Sequence, residues 1–130
     1  TLDLSHNFLG INSSIFGNLK QLKRLDLTNN KITLLMPAVF EQLQNLELLN
    51  LSANKITRVT GQMLRGLGNL KRLWLHRNPL QSIDILAIKR FRSLREVKIS
   101  KFSLCDKNKQ YIEEILSRKM CFVFVSDLEN

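Results

Sequence analysis

Side chains that could do covalent or metal chemistry are few in this sequence and stand far apart. It has no G-x-S-x-G nucleophile motif, no H-E-x-x-H zinc motif, no phosphate-cradling G-x-x-x-x-G-K-[ST] and no C-x-x-C pair. The only histidines, His6 and His76, belong to no such motif. We therefore predict that the chain is not an enzyme and has no catalytic residue, metal site, cofactor or small-molecule substrate.

The cysteines and two sequons allow simpler modifications. Cys105 and Cys121 are the only cysteines, and they permit either one disulfide or two buried thiols that pack as small apolar side chains. Asn12-Ser13-Ser14 and Asn50-Leu51-Ser52 match the acceptor pattern for N-linked glycans. Asn12 lies in a predicted loop and is the candidate glycosylation site. Asn50 lies in a predicted strand, where a glycan would block the sheet, and such triplets also arise by chance.

Net charge gives a broader indication of the partner. The 20 Lys and Arg against 11 Asp and Glu give a net charge of +9, which suits nucleic acid, a sulfated glycan, an anionic membrane or an acidic protein. A solubilising surface charge explains the same excess. The longest uninterrupted apolar run is Cys121 to Val125, far short of the ~20 residues of a spanning helix. We predict no membrane insertion by this segment.

A repeat organises the chain. Asn7, Asn30, Asn54 and Asn78 each follow an L-x-L triplet, at steps of 23, 24 and 24 residues. A fifth copy keeps the step but has Phe102 in the asparagine position. Apolar residues in the second half of each unit recur at matched offsets: Leu35, Phe40 and Leu43; Val59, Leu64 and Leu67; Ile83, Ile88 and Phe91. Self-similarity at this period indicates a solenoid of stacked units.

Strand geometry explains the pattern. The L-x-L leucines point into the solenoid while the residues between them point outward, and successive strands stack in parallel at about 4.8 Å. The asparagine side chain can satisfy backbone groups buried in the turn that follows each strand. Each unit alone leaves its apolar face uncovered, so stability comes from neighbours. Three strand steps separate His6 from His76 by about 14 Å, too far to share a metal.

The sequence resembles the leucine-rich repeat family, in its 24-residue class. That class reads L-x-x-L-x-L-x-x-N-x-L-x-x-L and then F-x-x-L, which this chain matches at Leu22, Leu25, Leu27, Asn30, Ile32, Leu35, Phe40 and Leu43. The resemblance covers residues 1–104 as five units, the first truncated. It implies an α/β repeat fold, a solenoid with a curved parallel sheet on its concave side. The class is common in receptor ectodomains and secreted immune or matrix proteins, which implies an extracellular or secreted location.

The two ends differ in character. The chain begins inside a strand at Thr1, so we expect further repeats before it; a natural start that pairs with another subunit is the alternative. Residues 105–130 form a predicted C-terminal capping segment with a helix over 110–119 and a sixth strand at Cys121 to Val125. Counting 24 residues on from Val97 places Cys121 at an inward position of that strand.

The cysteine pair extends the resemblance to the cap. Extracellular members of the family often end in a cap with four cysteines, usually opening with C-x-C, whereas this chain has two. In this respect the chain is more similar to the reduced caps of some insect innate-immunity repeat proteins. The resemblance implies a helix-plus-strand cap stapled by a disulfide between Cys105 and Cys121.

The outward residues of the strands define a candidate binding surface. The residue between the two strand leucines runs Asp3, Asp26, Asn50, Trp74, Lys98, so the face changes from acidic to basic, with the only Trp at the crossover. An aromatic beside arginine and an apolar residue has the composition of an interface anchor. Alternatively, Trp74 lies against the stem of Arg72 or Lys98 and stacks with the cation. The candidate partner-binding residues are Leu48, Arg72, Trp74, His76, Arg77, Lys98 and Lys101.

Two functional hypotheses follow. The first is an interaction module from an extracellular receptor or secreted immune recognition protein, binding a protein partner on its concave face. The second is a binder of polyanions, a sulfated glycan or nucleic acid, through the basic C-terminal half. Between Lys71 and Lys101 nine Lys or Arg stand against two acids, Asp84 and Glu96. A structural spacer without a ligand in this segment is a third reading, and the oligomeric state is left open.

The cap gives a first testable prediction. If Cys105 and Cys121 are bonded, thiol titration of the unfolded, unreduced chain will find no free thiol. Closing that loop is expected to stabilise the fold by ~3 kcal/mol in the chain-entropy model. Two free thiols would contradict the bond and remove much of the case for secretion.

Overall fold

A computed structural model describes residues 1–8, 11, 15–100, 110 and, for their backbone, 121–125. The elements with defined bounds in these residues are eight short strands and one short helix, joined by turns. In chain order they are β1 (Leu2–Asp3), β2 (Arg24–Asp26), β3 (Leu48–Asn50), β4 (Arg58–Val59), β5 (Arg72–Trp74), β6 (Ser82–Ile83), α1 (Ile85–Lys89), β7 (Glu96–Ser100) and β8 (Cys121–Val125).

The main sheet has six strands in the order β1-β2-β3-β5-β7-β8, and every adjacent pair is parallel. Leu25 pairs with Leu49, Leu49 with Leu73 and Leu73 with Val97. All four of these side chains are fully buried, while their strand neighbours face the other way. The predicted solenoid with inward L-x-L leucines is confirmed.

The second half of each repeat closes the opposite side of the core. Phe16 and Phe40, one repeat apart, stack with ring centroids 5.9 Å apart. The equivalent Leu64 and Ile88 are buried too. A two-stranded parallel sheet joins β4 to β6 on this side. One continuous core therefore runs through successive repeats, and no unit has a core of its own.

The repeated asparagines form the predicted ladder, with bonds in both directions. The Oδ1 atom of Asn54 accepts from the backbone N–H groups of Asn30 at 2.9 Å and Ile32 at 3.0 Å, both in the preceding repeat. Its Nδ2 atom donates to the carbonyls of Leu27 and Leu51, both at 3.0 Å. One buried amide therefore satisfies backbone groups of two repeats at once.

Neighbouring asparagines repeat the arrangement. Asn78 accepts from the N–H of Ile56 at 2.9 Å and donates to the carbonyl of Leu51 at 2.9 Å. Asn30 accepts from the N–H of Asn7 at 3.1 Å and donates to the carbonyl of Leu4 at 2.9 Å. The residue before each asparagine turns the chain in left-handed conformation, with φ between 53° and 57°: His6, Asn29, Ala53 and Arg77.

A second, exposed set of amides also links repeats. Asn45 donates from Nδ2 to the carbonyl of Lys20 at 2.8 Å, and Asn69 does the same to Gln44 at 2.7 Å. These residues stand one position before the first leucine of their units. Asn45 and Asn69 were not among the predicted linking residues, although their 24-residue spacing is visible in the sequence.

The C-terminal segment follows the prediction in outline but not in register. Gln110 is helical, and β8 joins the sheet beside β7. Val97 pairs with Phe122, whereas Cys121 pairs with Glu96. The predicted register, which set Cys121 beside Val97, is therefore wrong by one residue, because the last step is 25 rather than 24 residues. The disulfide stays a prediction, since Cys105 lies outside the described residues, and so does the domain division at residue 104.

Within the described part of the chain, no helix has the length and apolar character needed to cross a bilayer.

Gly66 lies where its backbone closely approaches that of the preceding repeat. Its φ is +91°, and a Cβ built on it would lie 2.5 Å from the Cα of Glu41 in the preceding repeat. A Cβ built on Gly68 would have no heavy atom within 4 Å. Only the first glycine is therefore required by backbone geometry and by space.

The ladder predicts an unequal cost for two asparagine substitutions. Asn54→Ala should lower the free energy of unfolding by about 2–5 kcal/mol, because two buried N–H groups lose their acceptor. Asn69→Ala removes one exposed bond and should cost less than about 1 kcal/mol. Urea unfolding followed by circular dichroism measures both. Equal costs would mean that the ladder is not what secures the turns.

The two glycines form another matched pair. Gly66→Ala should destabilise the fold by about 2–4 kcal/mol, from left-handed strain and the clash with Glu41. Gly68→Ala should be neutral or stabilise by up to about 1 kcal/mol, because the unfolded chain loses freedom. Thermal unfolding separates the two, and a harmless Gly66→Ala would disprove the close approach.

Candidate interaction surface

The outward side chains of the main sheet form two parallel rows on what we call the concave face. The outer row contains Arg24, Leu48, Arg72 and Glu96, and the central row contains Asp3, Asp26, Asn50, Trp74 and Lys98. Pairing between strands sets the order within each row, and neighbours lie about 4.8 Å apart. The predicted outward rows are thus brought together.

In the first three repeats the side chains of the central row form hydrogen bonds with the nearby backbone. Oδ1 of Asp3 accepts a hydrogen bond from the backbone N–H of Ser5 at 2.9 Å. Oδ1 of Asp26 accepts one from the N–H of Thr28 at 2.8 Å. Asn50 accepts from the N–H of Ser52 in the same way. Hydrogen bonds from Ser5, through its side chain and its backbone, hold the pKa of Asp3 below its usual value. These side chains shape the turn at the end of the strand.

Asn50 departs from what its outward position predicts, because it is buried. Only 7% of its surface is exposed. Its Nδ2 donates to Oδ2 of Asp26 at 3.2 Å, and its Oδ1 accepts from the Ser52 hydroxyl at 2.6 Å. A substitution there would disturb a hydrogen-bond network. Asn50 thus occupies the predicted outward row but is not exposed.

Trp74 interrupts this series of backbone-bonded side chains. Its Nε1 donates to Oε1 of Glu96 at 2.7 Å, and Nζ of Lys98 lies 4.4 Å from the centroid of its ring. The Lys98 ammonium is also 4.0 Å from the same Glu96 oxygen. The indole is half-buried. Stacking with Lys98, the alternative raised from the sequence, is what the structure shows, and it fixes the orientation of the ring.

The other predicted site residues fall into two groups. His76, two residues after Trp74, is half-buried, and Arg77 is exposed at the turn, where its N–H donates to the Ser100 hydroxyl at 2.7 Å. Lys101, Cys105 and Asn12 lie outside the described residues, and only the backbone of Cys121 is described.

Glu96 was missing from the predicted set, although it fixes Trp74. Its position could have been found, because it stands one repeat after Arg72 in the outer row. The predicted set consists of aromatic, basic and apolar residues, and an acid belongs to none of these types.

The chemistry of this face is that of recognition. An indole, an exposed guanidinium on Arg72, an ammonium on Lys98 and the half-buried Leu48 occupy adjacent strands. No group of three or more His, Cys, Asp or Glu in the described residues is placed to hold a metal ion. A separate groove of about 1030 Å³ between the 60–69 and 84–91 segments contains none of the predicted site residues.

Several solved structures are similar to this chain. In a TLR13–ssRNA13 complex, 30% identity and a TM-score of 0.79 cover 95% of this chain and 18% of that one. In the glycosylated Drosophila Toll–Spatzle complex, 24% identity and a TM-score of 0.74 cover 89% and 17%. In internalin inlF of Listeria monocytogenes, 26% identity and a TM-score of 0.63 cover 92% and 32%.

The chain thus spans less than a third of the length of each of these three proteins. No curated protein sequence matches it. A leucine-rich repeat family model matches three overlapping stretches, residues 1–56, 21–80 and 44–103. Those stretches cover most of the chain and coincide with the stacked strands and the asparagine ladder. The chain belongs to the leucine-rich repeat family.

Proposed function

We propose that this chain is a non-enzymatic interaction module from an extracellular receptor or secreted immune recognition protein. It binds a protein partner on the concave face, centred on Trp74. In this proposal Leu48 and Arg72 flank the indole on adjacent strands, and His76, Arg77, Lys98 and Lys101 complete the contact surface.

The change of role along the central row carries this proposal. The side chains of Asp3, Asp26 and Asn50 each accept a hydrogen bond from the backbone N–H two residues later. Trp74 and Lys98 instead contact Glu96, which holds the indole in one orientation at the surface. A large aromatic with fixed geometry loses little entropy on binding, and such residues dominate interface energies.

The similar structures support an interaction role without indicating the partner. The protein in the TLR13–ssRNA13 structure, 30% identical over almost this whole chain, is seen there with a ligand. Family membership itself fixes no partner, because unrelated functions share one fold. The extracellular location rests on this likeness, on the pair Cys105 and Cys121, and on the Asn12 sequon.

Polyanion binding is the second candidate, and two observations favour it. The chain has a net charge of +9, and the TLR13 structure contains RNA. Contacts to a polyanion release counterions, so affinity falls steeply as salt rises. An interface anchored on Trp74 and Leu48 should change little with salt, because burial of apolar surface is not screened.

Site-specific crosslinking tests the protein-partner proposal. A photoreactive phenylalanine analogue at position 48 should crosslink a discrete protein from the extracellular fluid or cell surface of the source tissue. The same analogue at position 86 is the matched control, because Leu86 is 61% exposed on the opposite half of its repeat. Adding Trp74→Ala should abolish the crosslink at position 48.

Affinity for the captured protein then measures each contribution. Trp74→Ala should weaken binding by about 30-fold or more, equivalent to ~2 kcal/mol. Arg72→Ala and Arg77→Ala should act mainly on the association rate. Crosslinks from position 86 alone would place the site elsewhere. Capture of RNA or heparin, lost between 50 and 200 mM salt as counterion release requires, would favour the polyanion candidate instead.

A further inference from the structure

The outer row places two arginines symmetrically about a leucine. Arg24 pairs with Leu48 and Leu48 with Arg72 across three consecutive strands. Both arginines are exposed and the leucine is half-buried. Adjacent positions lie about 4.8 Å apart, which puts the two arginine positions about 9.6 Å apart.

Two acids close to these arginines in the sheet, Glu47 and Glu96, have other hydrogen-bond partners. Glu47 forms an ion pair with Lys71 at 3.1 Å, and this hydrogen bond is the main reason that its pKa is lowered, with a smaller attraction from Arg24. Glu96, which follows Arg72 in the row, accepts from the Trp74 indole. Within the described residues no hydrogen bond or ion pair engages either guanidinium, so the row presents two guanidinium groups without a direct partner on either side of an apolar residue.

We propose that the outer row recognises an acidic amphipathic helix that lies across the strands. Two of its carboxylates, seven residues apart, would bind Arg24 and Arg72, and an apolar residue midway between them would lie on Leu48. This inference rests on the proposed function and names the chemistry of the partner. Paired guanidinium–carboxylate hydrogen bonds are among the stronger polar contacts in proteins.

Spacing is the reason for choosing a helix. Residues seven apart on a helix share one face and are separated by about 10.5 Å, and the midway residue lies about 5 Å from each. These distances match two strand steps and one strand step, about 9.6 and 4.8 Å. In an extended peptide, residues on one face recur at about 6.8 Å and then 13.6 Å, and neither distance fits the two arginines.

Designed peptides test this against the 130-residue chain. The probe is a helical peptide of about 24 residues with two Glu seven positions apart and a Leu midway. Its control has the same composition with the Glu residues five apart, which moves one of them to another face. Fluorescence anisotropy should show binding of the probe at least tenfold tighter than that of the control.

Charge reversal supplies the second half of the test. The double variant Arg24→Glu, Arg72→Glu should lose at least tenfold in affinity for the probe and gain affinity for a peptide with Lys at the two Glu positions. Arg58→Glu is the matched control, because Arg58 is exposed but lies on β4, outside the main sheet. It should change binding less than twofold, and circular dichroism will show whether each variant is folded.

Several outcomes would overturn the inference. Equal binding of the two spacings, or an equal effect of Arg58→Glu, would show attraction of charge without geometry. Tighter binding of a uridine oligonucleotide through the same two arginines would favour a nucleic acid. If the peptide tests fail in either of these ways while position 48 still crosslinks a protein in a Trp74-dependent way, the proposed function stands and the acidic helix is rejected.

Discussion

The turn after each strand imposes the constraint on which this solenoid depends. There the backbone bends sharply inside the molecule, and N–H groups such as those of Asn30 and Ile32 are buried away from water. Such groups must find partners, because an unsatisfied one costs about 1–3 kcal/mol. The Asn54 amide supplies their acceptor from the following repeat and donates to carbonyls on both sides. Each asparagine therefore joins two repeats and sets the position of one against the other.

That constraint fixes the surface as well as the interior. Once neighbouring repeats are held in register, the inward leucines lie side by side in the core and the outward residues line up in rows. Arg24, Leu48 and Arg72 are far apart in the chain, yet they form a patch because each occupies the same place in its repeat. A binding surface can therefore change by substitution at outward positions while the core stays constant, as the replacement of Asp and Asn by Trp74 in the central row illustrates.

Much of this fold is visible in the sequence because the period repeats a physical requirement. Inward leucines and turn asparagines recur at matched offsets, so their roles follow from alternation and burial. What escaped prediction depends on contacts between side chains of different repeats. Asn50 occupies an outward position but is buried between Asp26 and Ser52. The orientation of Trp74 depends on Glu96, and strand β8 is shifted by one residue where the repeat pattern fails.

Amide hydrogen exchange tests the central role of the asparagine ladder most directly. The N–H groups of Ile32 and Ile56 bond only to asparagine side chains, whereas those of Leu27 and Leu51 bond to strand carbonyls at 2.8 Å. If the ladder secures the solenoid, the first pair should exchange within about tenfold of the second, because both would open only with the repeats themselves. Exchange of Ile32 and Ile56 as fast as that of the exposed Gly68 would contradict the account.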